Sequence, residues 1–221
     1  GGSGTVFDGG AEESTNFELG VRHEPLPGAS LQAAYFRNDY SNLIAVGSIA
    51  GGSTPLSEGE ALFEGVELSA LAEHESGVFG RLAYTWLPTA DQETPFRNVA
   101  TGAVTGGSAA GNRQPYAPAH ILTAAAGYGV GPFRGEIEAQ YVGEQYSDFA
   151  NTEAAGANGQ TGLIDAYTVW NASLNYQLQP KRTTLFLTAK NLADETYIVD
   201  RTRGIQVGMP RLVQVGMRYA F

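Results

Sequence analysis

Apolar and polar residues alternate repeatedly along this chain, and that period of two most limits what it can fold into. In 133–143, Phe133, Ile137, Ala139 and Tyr141 are interleaved with Arg134, Glu136, Glu138 and Gln140. In 78–86, Val78, Leu82, Tyr84 and Trp86 share one face, while Arg81 and Thr85 take the other. In 168–178, Trp170, Ala172, Leu174, Tyr176 and Leu178 oppose Asn171, Ser173, Asn175 and Gln177. In 211–221, Val213, Val215, Met217, Tyr219 and Phe221 oppose Gln214, Gly216, Arg218 and Ala220. Side chains of a strand point alternately to its two faces, so each segment has one apolar and one polar face. Helical signals are poor, because glycine, β-branched and aromatic residues stand where a helix favours Ala, Leu, Glu and Lys. Nine strands are predicted, at about 14–25, 29–46, 61–73, 78–90, 119–129, 133–147, 165–178, 183–198 and 210–221. The 29–46 segment alternates least cleanly, and the sequence does not assign its faces.

The connections carry a second signal. Pro25–Gly28, His74–Gly77, Gly129–Pro132 and Gln179–Arg182 are short and turn-like. The others, 47–60, 91–118, 148–164 and 199–209, are long and rich in Gly, Ser, Thr, Ala and Asn. Short and long alternate strictly. A soluble sandwich has little reason to keep its long loops at one end. A transmembrane barrel with short turns on one side and long loops on the other accounts for the asymmetry, with its apolar face against lipid. A mean hydropathy of −0.17 suits such a barrel, since half of every strand is polar.

Composition removes several function classes. A formal charge of −10, from 13 Lys and Arg against 23 Asp and Glu, argues against a nucleic-acid surface. Without cysteine there is no disulfide, thiolate-held metal or thiol nucleophile. No window approaches the roughly 18 apolar residues of a membrane-spanning helix. The opening Gly1-Gly2-Ser3-Gly4 reads as the inside of a loop, so the chain is expected to be a piece of a longer one. It ends within a strand on Phe221, the kind of terminal aromatic that serves as an assembly signal in outer-membrane proteins.

Asn191-Leu192-Ala193-Asp194-Glu195-Thr196-Tyr197, then Gly208-Met209-Pro210-Arg211, the opening Glu13–Gly20, and Asn112–Pro118 with His120 resemble segments of TonB-dependent outer-membrane receptors. Gly59–Leu68, Tyr141–Gln145 and Tyr197–Ile205 are most similar to the ferric-dicitrate branch. The resemblance implies an all-β, antiparallel transmembrane β-barrel, with these nine strands as the last of 22. Residues 1–221 would be the C-terminal part of the barrel domain, with the plug, the TonB box and the N-terminal strands absent. It further implies outer-membrane import of a ferric siderophore, ferric citrate first. The partners would be the TonB–ExbB–ExbD complex, the protein's own plug, outer-membrane lipid, and the barrel assembly machinery through Phe221. No cofactor is implied; the ligand would be an iron(III) chelate.

An anionic chelate calls for guanidinium or amide donors on the long loops. The candidates are Arg97, Arg113, Arg201 and Arg203, with Asn112, Gln114 and Gln206 as polar partners. Each arginine could instead be a solvated loop cation or a lumen ion-pair partner. The loops also carry many carboxylates, so an anion would have to meet a local basic pocket. His23, His74 and His120 lack ligand spacing and read as interfacial polar residues, and no calcium-loop pattern is present. Tyr84, Trp86, Tyr141, Trp170, Tyr176, Tyr219 and Phe221 are expected in aromatic girdles. No G-x-S-x-G or paired Ser/His arrangement supports an enzyme. A complete small barrel with a structural or adhesion role, a secreted carbohydrate-binding sandwich, and a receptor for a vitamin or sugar stay open at this point.

Overall fold

The structure of the chain, a computed structural model, describes residues 11–45, 56–178 and 182–220. Phe221, the opening glycines, most of the 47–60 connection and most of the turn after Leu178 lie outside the described residues. Nine long strands run antiparallel in chain order: β1 (Glu13–Leu26), β2 (Ala29–Ala45), β3 (Ser57–Glu73), β4 (Val78–Gln92), β6 (His120–Val130), β7 (Phe133–Val142), β8 (Tyr167–Leu178), β9 (Thr183–Lys190) and β12 (Leu212–Tyr219). A two-residue β5 (Arg97–Asn98) pairs with β3, and β10 (Ile198–Asp200) pairs with β11 (Gln206–Val207) as a separate hairpin. Every neighbour in the large sheet is the next long strand in sequence, the meander of an up-and-down barrel wall.

The strand ends correct the sequence reading in two places. β7 stops at Val142 rather than 147, after which Gly143 N–H donates to the His120 carbonyl. β9 stops at Lys190 rather than 198, because Asn191 takes a left-handed φ of 49° and closes a turn with Glu195. The short β5 and β11 fall within segments expected to be loops, and β10 straddles the expected strand end at 198 and the loop after it; pieces of two or three residues carry no readable period.

Register shows how consistently the two faces are sorted. One row runs Gly80, Ala126, Ile137, Ala172, Ala189, Val213, and the next Val78, Tyr128, Gly135, Leu174, Leu187, Val215. On the opposite face one row runs Arg81, Ala125, Glu138, Asn171, and another Glu136, Ser173, Thr188, Gln214. β2 is now resolved: Leu31, Ala33 and Tyr35 pair into the apolar face, Gln32 and Ala34 into the polar one. The pairing also puts Tyr84, Trp86, Tyr141, Trp170, Tyr176 and Tyr219 on the apolar face. Trp86, Tyr84, Tyr141 and Trp170 lie toward the long loops, Tyr128, Phe133, Tyr176 and Tyr219 toward the short turns.

This apolar face is open. Ile137, Leu174, Leu187, Val215 and Met217 all stay exposed, with Val215 at 80%. A soluble sandwich would bury these side chains at ~25 cal/mol per Å², so an aqueous setting is the wrong one for this sheet. Charged groups of the polar face pair within the wall. Arg81 forms ion pairs with both Glu136 and Glu138, and Glu138 also accepts from Asn171 Nδ2 at 3.0 Å. Phe79 lies over Gly127, where a Cβ would overlap its ring, and the Arg134 guanidinium stacks on that ring at 3.6 Å.

Candidate functional site

The enclosed part of the molecule is the long-loop end. Phe96 and Phe149, from different loops, stack with centroids 4.7 Å apart and are almost wholly buried. Gln92, at the end of β4, has no exposed surface. Its Nε2 donates to the Phe149 carbonyl at 2.9 Å and the Arg113 carbonyl at 3.2 Å, and its Oε1 accepts from Ser108 Oγ. Ser108 Oγ in turn accepts from Phe96 N–H at 2.8 Å. Asn151, in the left-handed region at φ 55°, accepts from Arg113 N–H and donates back to the Arg113 carbonyl. Each buried loop amide of this kind needs such a partner, since an unpaired one costs about 1–3 kcal/mol. Polar side chains therefore do here what apolar ones do in a globular core.

The sequence candidates divide sharply within this framework. Arg113 is half-buried and donates to the carbonyls of Ala117 (2.6 Å), Pro88 (3.2 Å) and Leu87 (2.5 Å). Burial pulls its guanidinium below the usual value, against the pull of Asp91 and Tyr146. Arg201 is 5% exposed and donates to the Gly159 and Leu163 carbonyls at 3.2 and 3.4 Å. Asn112 Nδ2 donates to the Phe149 carbonyl at 2.8 Å, and Gln114 is buried beside β4, its N–H on the Ala90 carbonyl. Gln114 Nε2 and Arg201 Nε have no hydrogen-bond partner among the described residues. All four pack within the loops, and the side chains of Arg113, Arg201 and Asn112 face backbone carbonyls.

Arg97 and Arg203 are different. Arg97 is exposed on β5, with one donor on the Gly102 carbonyl at 3.1 Å. Arg203 is exposed in the connection between β10 and β11, and makes no hydrogen bond or ion pair among the described residues. Gln206 is exposed beside it and donates to Asp200 Oδ2 at 2.9 Å. No group of three or more His, Cys, Asp or Glu able to hold a metal ion occurs among the described residues.

The last motif also acquires a physical meaning. Asn191 Nδ2 donates to the carbonyls of Glu195 and Met209, and Asp194 Oδ1 accepts from Arg211 N–H at 2.9 Å. Tyr197 stacks on Tyr167 at 4.2 Å and covers Gly208, where any Cβ would enter its ring. Asn191, Asp194, Tyr197, Gly208 and Arg211 thus clasp the end of β9 to the start of β12. The sequence reading used these residues as a family mark and missed this work, which the positive φ at Asn191 and Asp194 explains.

A family model for the TonB dependent receptor-like β-barrel matches residues 1–192. The chain belongs to this family. TonB-dependent receptor barrels are bacterial outer-membrane transporters, not enzymes, and the apolar face of the sheet is accordingly the lipid face. Solved structures share the fold. The ferric citrate transporter FecA in its unliganded form superposes with a TM-score of 0.72 at 21% identity, over 93% of this chain and 31% of that one. The siderophore receptor PiuA from Acinetobacter baumannii gives 0.73 at 21%, over 93% and 28%. The ferric yersiniabactin uptake receptor FyuA from Yersinia pestis gives 0.70 at 23%, over 95% and 30%. The chain therefore spans about a third of the length of these receptors.

Proposed function

We propose that this chain is the C-terminal part of the barrel domain of a receptor that imports a ferric siderophore, with ferric citrate as the ligand. The observation that carries the reading is the wall itself: nine meandering strands with an open lipid face, a polar lumen face and a structured cap of long loops. Receptors named for ferric citrate, for ferric yersiniabactin and for siderophores share the fold of that wall. Sequence stretches such as Tyr141–Gln145 and Tyr197–Ile205 favour citrate. The plug, the TonB box and the earlier strands belong to the rest of such a receptor. TonB–ExbB–ExbD would drive import through them.

Within the cap, Arg203, Gln206 and Arg97 are the residues offered to an anionic chelate, because their side chains are exposed: Arg203 has no partner among the described residues, while Gln206 and Arg97 each already give one bond, to Asp200 and to the Gly102 carbonyl. Arg113, Arg201, Asn112 and Gln114 serve by holding the loops. Calorimetric titration of the full-length receptor in detergent tests the reading, with iron-free citrate and a hydroxamate siderophore as controls. Saturable binding of ferric citrate alone is expected, weakened roughly tenfold by Arg203→Ala, the scale of one charge-assisted hydrogen bond. Binding of the hydroxamate in place of ferric citrate would keep the receptor and change its ligand. Silence with both would point to a vitamin or a sugar.

A further inference from the structure

Three long loops meet at one joint, and the exposed Arg203 hangs from it. Tyr116, in the loop between β4 and β6, has φ 57°; the other non-glycine residues with positive φ among those described are Asn or Asp. A bulky side chain holds that conformation only where its surroundings enforce it. Tyr116 N–H donates to the Tyr146 carbonyl at 2.8 Å, which ties it to the loop after β7. Its hydroxyl accepts from Arg201 N–H at 3.2 Å and lies beside the Asp200 carboxylate. Asp200 gathers the rest of the hairpin: Thr202 N–H at 2.9 Å, Thr202 Oγ1 at 2.5 Å and Gln206 Nε2 at 2.9 Å. From the other side, the buried Arg201 guanidinium grips the Gly159 and Leu163 carbonyls.

We infer that Tyr116 and Arg201 are positioning residues that lock the β10–β11 hairpin, and with it Arg203, against the two preceding long loops. The inference rests on the ligand role proposed above for Arg203, yet the lock itself is independent of ligand. It is also distinct from the clasp at Asn191 and Arg211, which fixes the base of the same excursion and not its tip.

The test uses the full-length receptor in detergent with a spin label at Val207→Cys on the hairpin, and separately at Val104→Cys in the loop that carries Tyr116. Both sites are exposed, and the chain has no cysteine of its own. Tyr116→Phe and Arg201→Lys are each expected to raise the mobility of the label at 207 and leave that at 104 unchanged. In titrations with ferric citrate, Tyr116→Phe should weaken binding several-fold in the parent and have no further effect beside Arg203→Ala. Unchanged mobility at 207 in both variants overturns the inference, as does full additivity with Arg203→Ala. Raised mobility at 207, with no effect of Arg203→Ala on any chelate, upholds the lock and overturns the ligand reading instead.

Discussion

On the strands, Ile137, Leu174 and Val215 lie open on the surface, whereas in the long-loop cap Gln92, Ser57 and Ser147 are fully enclosed. The two regions sort polarity in opposite senses because their solvents differ. Lipid accepts the apolar face of the wall, and between neighbouring strands the ladder pairs the backbone groups with one another. The cap has irregular backbone, whose amides and carbonyls cannot pair in a ladder. Side chains such as Gln92, Asn112, Asn151 and Arg113 supply the missing partners, and their burial follows from that task.

Reversing polarity on the wall should have the largest effect. Ile137 lies midway between Tyr141 and Phe133 on β7, near the bilayer midplane. Ile137→Arg in the full-length receptor is expected to cost about 2–4 kcal/mol. Ser173→Arg, which pairs into the polar lumen face, is expected to cost far less. Folded yield and the urea midpoint in lipid vesicles measure both; equal damage from the two would remove the assignment of faces.

The converse change in the cap comes next. Gln92→Leu keeps the volume but strips donors from the Phe149 and Arg113 carbonyls and an acceptor from Ser108. Asn112 and Asn151 still donate to the two carbonyls, so the Ser108 hydroxyl is the group left stranded, and a local loss of about 1–3 kcal/mol is expected. Hydrogen exchange should quicken in 93–119 and 143–166 while β6, β7 and β8 keep their protection. A uniform loss over wall and cap would mean that the two regions unfold as one.

The smallest effect is one of pH, and it belongs to the hairpin joint. Burial works to raise the Asp200 carboxyl, but hydrogen bonds from Thr202, helped by the nearby Tyr116 hydroxyl and Arg201 N–H, outweigh it and hold it below the ordinary 3.8. A lowered value stabilises the joint above the unfolded pKa and is lost as pH falls through the folded one. Burial raises the Tyr116 phenol, with the Asp200 carboxylate acting in the same direction and hydrogen bonds from Thr202 and Arg201 against it. Its contribution is complete below pH 10 and disappears as pH rises through the folded value. Label mobility at residue 207 should therefore stay flat from mildly acidic to mildly alkaline pH, rising only outside those limits. Thr202 and Gln206, the other side chains bonded to Asp200, carry no ionisable group.

Much of the wall was legible in the sequence. The alternation in 78–86, 133–143, 168–178 and 211–221 marked strands and faces together, because a strand's period of two survives wherever the two faces meet different solvents. Alternating short turns and long loops then set the meander and its two ends. In β2 the period was blurred by apolar residues such as Ala34 and Phe36 on the lumen side, and by the register shift between Tyr40 and Leu43. The strand ends at Val142 and Lys190 depended on a glycine contact and a left-handed asparagine, which local alternation does not reveal.

The candidate arginines mark the boundary between sequence and structure. Sequence identified Arg97, Arg113, Arg201 and Arg203 as cations in long loops, since residue type and loop position are both written in it. Whether a guanidinium faces outward or its own backbone depends on which carbonyls distant loops bring within reach. Arg201 meets Gly159 and Leu163, and Arg113 meets Leu87 and Pro88, only after β4, β6, β7 and β8 have paired. The sequence by itself determined the nine long strands, the faces of those that alternate cleanly, and the family, through short-range periodicity and motif. The tertiary structure alone decided which loop donors are already used and which stay open, because that depends on long-range proximity that no local pattern encodes.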